Sequence, residues 1–479
     1  MPRLSELLNR RLDHDPAIRG LTADSRQVGP GFLFAALPGA KADGRAFIGA
    51  ALAQGAVAIL APTGTDADTG GAVLVTDDLP RRLFAQAAAR FFGRQPAVAV
   101  AVTGTNGKTS VVNFTRQIWA WAGHPAASLG TIGLVAPGRM EPGSLTTPDP
   151  VTLHRTLAEL AETDVTHVAF EASSQGLDQY RLHGVRVTAA AFTNLTRDHL
   201  DYHGGMDAYW QAKCRLFEEI MAPGGTAVIN AASAVAEDLS RRCRQRGHAV
   251  LTFGPGQADI RLDSCVPSTE GQDLVISIAE RVYQLHLPLA GSFQADNALA
   301  ALGLALATGI AEDQAVEALA HLDVVPGRLQ KVATTPTGAT VLVDYAHTPD
   351  GLETALRALR PHTRGRLVVV FGCGGDRDKG KRPMMGRIAA DLADRVIVTD
   401  DNPRTEDAAT IRQEVLAACP GALNIGDRTE AIRQAVAGLA AGDLLVVAGK
   451  GHERGQIVGT TVLPFDDVDV ARRAVEALS

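Results

Sequence analysis

Short apolar runs alternate with helix-spaced segments along most of this chain. Ala97-Val-Ala-Val-Ala-Val102 is a continuous small and β-branched run of strand length. The segment Ser110 to Ala122 that follows has helical spacing at Val111, Phe114, Ile118 and Trp121. Similar runs stand at 165–170, 189–192, 227–229, 341–343, 367–371, 396–398 and 444–447. Strands that are apolar throughout are covered on both faces, and strands separated by helices run parallel. The pattern predicts an α/β protein. Two breaks divide it. Phe92-Gly-Arg-Gln-Pro96 interrupts a helical pattern just before Ala97, and Val325-Pro-Gly-Arg328 separates a long Ala/Leu helix from a fresh strand–helix alternation. Three domains are expected, 1–93, 94–326 and 327–479, which suits 479 residues at about 150 per domain.

Composition narrows the classes. At 46% hydrophobic and 21% charged residues, the chain is neither disordered nor a coiled coil. A net charge of −7 and 5% aromatic residues speak against nucleic-acid binding. The N-terminus lacks the apolar core of a secretory signal. The most apolar stretch, Ala298 to Ala311, is shorter than the roughly 20 residues that span a bilayer, so no membrane insertion is expected. Five widely spaced cysteines with no CxxC pair predict neither a disulfide framework nor a structural zinc site. The chain reads as cytoplasmic.

The strongest chemical signal is Val102-Thr-Gly-Thr-Asn-Gly-Lys-Thr-Ser110, between a predicted strand and a predicted helix. In that setting backbone N–H groups and the helix dipole hold phosphate. Gly104 and Gly107 permit close backbone approach, with Thr105 and Asn106 between them. Lys108 neutralises outer phosphates, the Thr109 hydroxyl is placed for Mg²⁺, and Ser110 opens the helix. Val102 stands where GxxxxGK[ST] loops have their first glycine, which argues against an ordinary GTPase.

Other polar groups gather after predicted strands, at the edge where α/β sheets bind ligands. Glu171 is suited to Mg²⁺ through oxygen, or is simply a helix cap or solvated residue. Thr193-Asn-Leu-Thr-Arg-Asp-His-Leu-Asp-Tyr-His-Gly204 offers His199 to a metal or a phosphate, or is simply a polar loop. Lys213, in the helical segment 206–219, reads on its own as a solvent-facing lysine. Asp344-Tyr-Ala-His-Thr-Pro-Asp350, the basic Gly-rich stretch 371–383, Asp400-Asp-Asn-Pro-Arg404 and Ala448-Gly-Lys-Gly-His-Glu453 form four further loops, together suggesting a binding cleft. Arg377 and Arg404 can each grip a carboxylate bidentately.

GTNGKTS, EASSQGL, TNLTRDHLDYHG, Lys213, DYAHTPD, GCGGDRDKGKRP, DNPRTED and GKGHE occur here in the order and spacing of the Mur ligase family, and the resemblance covers essentially the whole chain. It extends to Asp24-Ser-Arg26 and Gly39-Ala-Lys-Ala-Asp-Gly-Arg45. The resemblance implies a UDP-binding N-terminal domain, a central P-loop ATPase-like domain on a parallel sheet, and a C-terminal Rossmann-like domain. It implies an ATP-dependent ligase of peptidoglycan synthesis. Its substrates would be ATP, UDP-N-acetylmuramoyl-L-Ala-D-Glu and meso-2,6-diaminopimelate, joined through an acyl phosphate on the γ-carboxylate of D-Glu. A monomer is the family's expectation.

Roles follow from the same resemblance, residue by residue. Lys108 is catalytic. Lys213 carries a CO₂-derived carbamate that, with Glu171 and His199, holds Mg²⁺, while Thr109 binds the nucleotide's metal. Asn297, Arg328, Asp344 and His347 lie on the ATP side. Ser25, Thr146, Thr147, Ser173, Gln179 and Arg181 hold the UDP-muramoyl dipeptide. Arg377, Asp401, Asn402, Pro403, Arg404, Gly449 and Glu453 hold diaminopimelate. Arg404 can pair with its second carboxylate; lysine has none and would leave that charge buried and unpaired. Two departures stand out: Leu145 where some relatives have a polar residue, and GAKADGR for the more familiar GHQADGR, which affects Ala40 and Lys41. A lysine- or folate-directed relative, a nucleotide switch and a nucleic-acid ATPase are the rival readings.

Overall fold

Every short apolar run read as a strand in the sequence forms one, and the strands assemble into three main sheets. The computed structural model describes residues 1–39, 42–143, 145–268 and 271–478. The first sheet is parallel and four-stranded: Gly20–Thr22, Phe32–Ala35, Ala58–Pro62 and Val73–Asp77, in chain order. Helix Pro80–Phe92 covers it with Leu83, Phe84, Ala87 and Ala88.

The central sheet has eleven strands. Val98–Thr103 lies in its interior, between Val187–Phe192 and His167–Glu171, both parallel to it. Met221–Asn230 and Ala126–Gly130 continue the parallel array outward. Both margins depart from the expected parallel pattern. Gln272–Ile278 and Arg281–Leu287 are antiparallel at one end, and Gly133–Ala136 and Arg139–Glu141 at the other. Residues 282–286 alternate between exposed and half-buried positions, and a strand wet on one face can close an antiparallel margin.

Two apolar layers clamp the parallel strands. On one face Val100, Val102, Val111, Phe114, Ile118 and Trp119 pack against the Ala/Leu helix Ser292–Ala307; on the other Ala99, Ala101, Val168 and Phe170 pack against Leu153 and Leu157. Trp121, at the end of the predicted stripe, is half exposed and stacks on His321, while Trp119 is buried. The helical segment expected over 206–219 stops earlier: helix Met206–Arg215 passes into a wider turn, Leu216–Ile220. Among the described residues no helix is long and apolar enough to cross a membrane.

The third sheet has six strands. Thr340–Asp344, Leu444–Ala448, Leu367–Phe371, Arg395–Val398 and Leu423–Asn424 are mutually parallel, and Gln330–Thr334 lies antiparallel at the edge. A hairpin, Gly455–Val458 with Thr461–Pro464, lies outside that sheet; its first strand is half-buried against residues 402–404 and its second is exposed.

Candidate active site

The phosphate loop leaves the interior strand Val98–Thr103 and enters helix Lys108–Trp121. Its glycines are required by space as well as by backbone. Gly104 has φ 147°, and a Cβ there would lie 1.9 Å from Thr193 Oγ1; Gly107 has φ 87°, and its Cβ would meet Asn297 Oδ1 at 2.4 Å. The neighbouring strand end fixes the loop. Thr193 Oγ1 donates to Asn106 O at 2.6 Å, Asn106 N donates to Asn194 Oδ1 at 2.9 Å, and Thr105 N donates to Asn194 O at 2.9 Å. Lys108 Nζ donates to Gly104 O and Thr105 O at 3.0 and 2.7 Å.

Lys213 overturns the solvent-facing reading of the isolated residue. Helix Met206–Arg215 packs onto the loop and leaves Lys213 1% exposed. Its Nζ donates to Gly104 O at 2.7 Å and lies 4.2 Å from the Tyr209 ring centre. Burial, then the nearby Lys108 ammonium, lowers its pKa well below the usual lysine value. Glu171 is neither cap nor solvated: it is 2% exposed and accepts from Thr131 N at 2.7 Å and Thr131 Oγ1 at 3.1 Å. His199 is half exposed, has φ 53°, and lies 3.5 Å from Asp198.

These groups share one cleft of about 410 Å³. Thr105, Asn106, Gly107, Lys108, Thr109 and Ser110 line it with Thr146, Glu171, Ser173, His199, Lys213, Asn297, Arg328, Asp344 and His347. The third domain supplies part of the wall. Arg328 donates to Thr109 Oγ1 at 3.2 Å and lies 4.4 Å over the Tyr345 ring. Asp344 accepts from the N–H groups of Leu329 and Ala346 at 2.7 and 2.8 Å, so both its oxygens shape the chain that enters the third domain. Several lining residues were passed over in the sequence. Asp350 accepts from Asn106 Nδ2 at 2.6 Å and Thr196 Oγ1 at 3.0 Å, joining the third domain to the phosphate loop. Burial raises Asp296 to a pKa of about 6. Asp350 belongs to DYAHTPD and Asp296 adjoins Asn297, so adjacency was the available signal.

The set expected for the UDP-linked substrate is only partly gathered. Thr146 Oγ1 is 3.1 Å from Thr131 Oγ1. Thr147 is buried, donates to Glu171 O at 2.8 Å and accepts from Ser173 N and Oγ, both at 3.0 Å. Arg181 donates to Thr147 O and Gln179 Oε1 at 2.7 and 2.8 Å. Ser25 lies apart, in the turn Ser25–Gln27 beside the first sheet, outside the cleft lining. Ala40 and Lys41 fall outside the described residues.

The loops expected to hold the amino acid form a second cluster at the carboxyl edge of the third sheet. Arg404 has φ 52° and donates to Gly375 O at 2.8 Å, joining DNPR to the Gly-rich stretch. Buried Arg382 reinforces that junction through Glu406 at 2.9 Å and Glu414 at 2.6 Å. Asp401, Asn402 and Pro403 are buried, and Arg377 is exposed. Gly449 has φ 116°, and a Cβ there would meet Asp401 Oδ2 at 2.7 Å. These residues are not part of the phosphate-loop lining; the His452 ring, 5.1 Å from that of Tyr345, connects the two clusters.

Comparison with known proteins gives the same three parts. Residues 17–92 match the Mur ligase family catalytic domain, 102–305 the Mur ligase middle domain, and 327–451 the Mur ligase glutamate ligase domain. The UDP-N-acetylmuramoyl-L-alanyl-D-glutamate–2,6-diaminopimelate ligase of Caulobacter vibrioides is 54% identical over 482 residues, covering 99% of both chains. The protein of the same name from Rhizobium meliloti is 54% identical over 474 residues, 98% of this chain and 97% of its own. A solved structure of a ligase of that name superposes with a TM-score of 0.74 at 34% identity, covering 99% of each chain. The MurF ligase of Thermotoga maritima in complex with ADP shares the fold, with a TM-score of 0.63 at 18% identity, covering 99% of this chain and 97% of its own. Phosphate loop, three-sheet architecture and end-to-end similarity agree: the chain belongs to the Mur ligase family.

Proposed function

We propose that this protein joins meso-2,6-diaminopimelate to the γ-carboxylate of D-Glu in UDP-N-acetylmuramoyl-L-Ala-D-Glu, converting ATP to ADP and phosphate, in peptidoglycan synthesis. The observation that carries this reading is the single cleft that gathers the phosphate loop, Glu171 and buried Lys213 with Arg328 of the third domain. In this reading the domains are bounded near 93 and 326, the first for the UDP moiety, the second for ATP and the third for the amino acid.

Gly107 and Ser110 offer backbone N–H groups to the phosphates at a helix N-terminus, Thr105 and Asn106 hold the loop in place through Asn194, and Lys108 balances the phosphate charge. Asn297, Arg328 and His347 face the nucleotide, and Asp344 holds the chain that presents Arg328. The acceptor is placed by Ser25, Thr146, Thr147, Ser173, Gln179 and Arg181. A γ-carboxylate oxygen of D-Glu attacks the γ-phosphorus of ATP and ADP leaves. The neutral amine of diaminopimelate then attacks the acyl carbon, and phosphate leaves as the nitrogen loses its proton.

Mg²⁺ suits the oxygen-bearing residues present. Among the described residues no three His, Cys, Asp or Glu side chains form a metal site of their own. Glu171 would supply oxygen and His199 nitrogen to one ion, a carbamate on Lys213 would turn an ammonium into a further oxygen ligand, and the Thr109 hydroxyl would bind the nucleotide's metal. A lysine pKa lowered by burial favours the free amine, the form that adds CO₂. When bound, the ion would neutralise phosphate charge.

The test measures phosphate release with ATP, Mg²⁺ and the UDP-linked acceptor, adding meso-diaminopimelate, L-lysine or neither, with the product confirmed by mass. Turnover only with diaminopimelate is expected. Turnover with lysine alone would refute the specificity, and silence with both in a folded, ATP-binding protein would refute the ligase reading.

A further inference from the structure

The GKGHE loop buries a charge that the proposed reaction leaves unused. Lys450 is 0% exposed, so it cannot meet a substrate directly. Its Nζ donates to Asn402 Oδ1 and to Glu453 Oε2, each at 3.0 Å. Asn402 Oδ1 also accepts from Ile457 N at 2.9 Å, and Asn402 Nδ2 donates to Glu453 Oε2 at 3.0 Å. Two donors meeting Oδ1 fix the amide's orientation, because its other end can only donate. Glu453 is thereby held through one oxygen. Its Oε1 takes no hydrogen bond among the described residues, and its side chain remains 34% exposed.

A buried ion pair ties the floor beneath this unit. Arg428 and Asp467, both 0% exposed, pair at 2.7 Å. Arg428 also donates to Ala448 O at 2.9 Å and to Asp400 O at 3.4 Å, the carbonyls just before the two loops. A buried ammonium is costly unless paired and hydrogen-bonded, and this one is placed where it binds two residues from different loops together.

We infer that Lys450 is a positioning residue for amino-acid binding: its ammonium locks Asn402 and Glu453 into one unit whose free carboxylate oxygen receives the non-reacting ammonium group of the incoming amino acid. The inference rests on the reading that residues 401–404 and 449–453 hold that amino acid.

A double-mutant cycle tests it, using Lys450→Met, Glu453→Gln and the double variant of the full-length enzyme. Lys450→Met is expected to raise KM for the amino acid by about 30-fold, the scale of losing one partner of a buried charge pair. The kcat and the KM for ATP should stay within about threefold. The double variant should lose no more than the worse single variant, because both act through the same oxygen. Additive losses, or a rise in KM for ATP as large as that for the amino acid, would overturn the inference. If Lys450→Met does not fold, Lys450→Gln takes its place in the same cycle. Parent turnover with diaminopimelate decides the underlying reading separately, and the cycle is run with whichever amino acid the parent enzyme accepts.

Discussion

Around the phosphate loop, lysine side chains lie against neutral carbonyls; in the third domain, buried cations lie against carboxylates. Lys108 and Lys213 both donate to backbone oxygens of the loop, and burial lowers the pKa of each. Arg382, Arg428 and Lys450 instead pair with Glu406 and Glu414, Asp467, and Glu453. A buried charge without a counter-ion is costly. Near the loop that cost is met by a lowered pKa or by an anionic ligand, so the loop keeps its lysines for chemistry. Paired cations have no such role left and hold loops in shape, which is what discrimination between similar amino acids needs.

Lys213→Ala strikes this contrast hardest. It removes the buried amine that would carry the carbamate and should lower ligation on the order of 10³-fold or more. Phosphate release, with circular dichroism to establish folding, checks it; activity within tenfold of the parent would take Lys213 out of the reaction. Arg404→Ala tests the third domain. A lost partner for a buried carboxylate costs about 2–4 kcal/mol, roughly 30- to 1,000-fold in kcat/KM for diaminopimelate. Preference over lysine should collapse while KM for ATP holds; an unchanged preference would move selectivity away from DNPR. Asp350→Ala acts between the two regions by removing the acceptor shared by Asn106 and Thr196. Losses of about 1–2 kcal/mol are expected, near tenfold in kcat/KM for ATP. Parent-like kinetics would mean that this contact does not help bring the domains together.

The smallest effect is on stability. Burial holds His154, His167 and His183 of the central domain at pKa values of about 4, below the usual 6.5. Between those values the unfolded chain takes up protons that the folded one refuses. Their contribution is therefore complete above pH 6.5 and is lost as pH falls towards 4. In the third domain, hydrogen bonding to Arg382 lowers Glu406 from 4.5 to about 2, so its contribution is lost only below about pH 4.5. His452, also near 4, partly offsets this difference. Calorimetry from pH 7 to 5 should lower the central transition by several degrees, more than the third-domain transition. Equal shifts would remove this distinction.

Legibility followed distance along the chain. Nine consecutive residues, 102–110, state strand end, turn, ammonium and hydroxyl together, so the phosphate loop was readable from its own letters. Lys213 was not, because helix periodicity says nothing about a loop 109 residues earlier that covers the lysine; only resemblance to a family pointed there. Asp350 was passed over inside a motif already singled out, since its partner Asn106 lies 244 residues away. Lys450 was missed for the same reason, its partner Asn402 being 48 residues upstream. The apolar runs announced the parallel strands, whereas the antiparallel margins of the central sheet are only partly apolar and carried no comparable signal.

The interior position of Val98–Thr103 also governs how the chain is made. Its two neighbouring strands are encoded roughly 70 and 90 residues downstream, and Thr193 and Asn194, which fix the loop, come after both. At about 5–20 residues per second, the ribosome leaves this apolar strand without its full pair of neighbours for roughly five to twenty seconds. The first sheet, by contrast, joins strands in chain order and can close as it emerges. The segment most exposed to aggregation during synthesis is thus the strand from which the chemistry hangs.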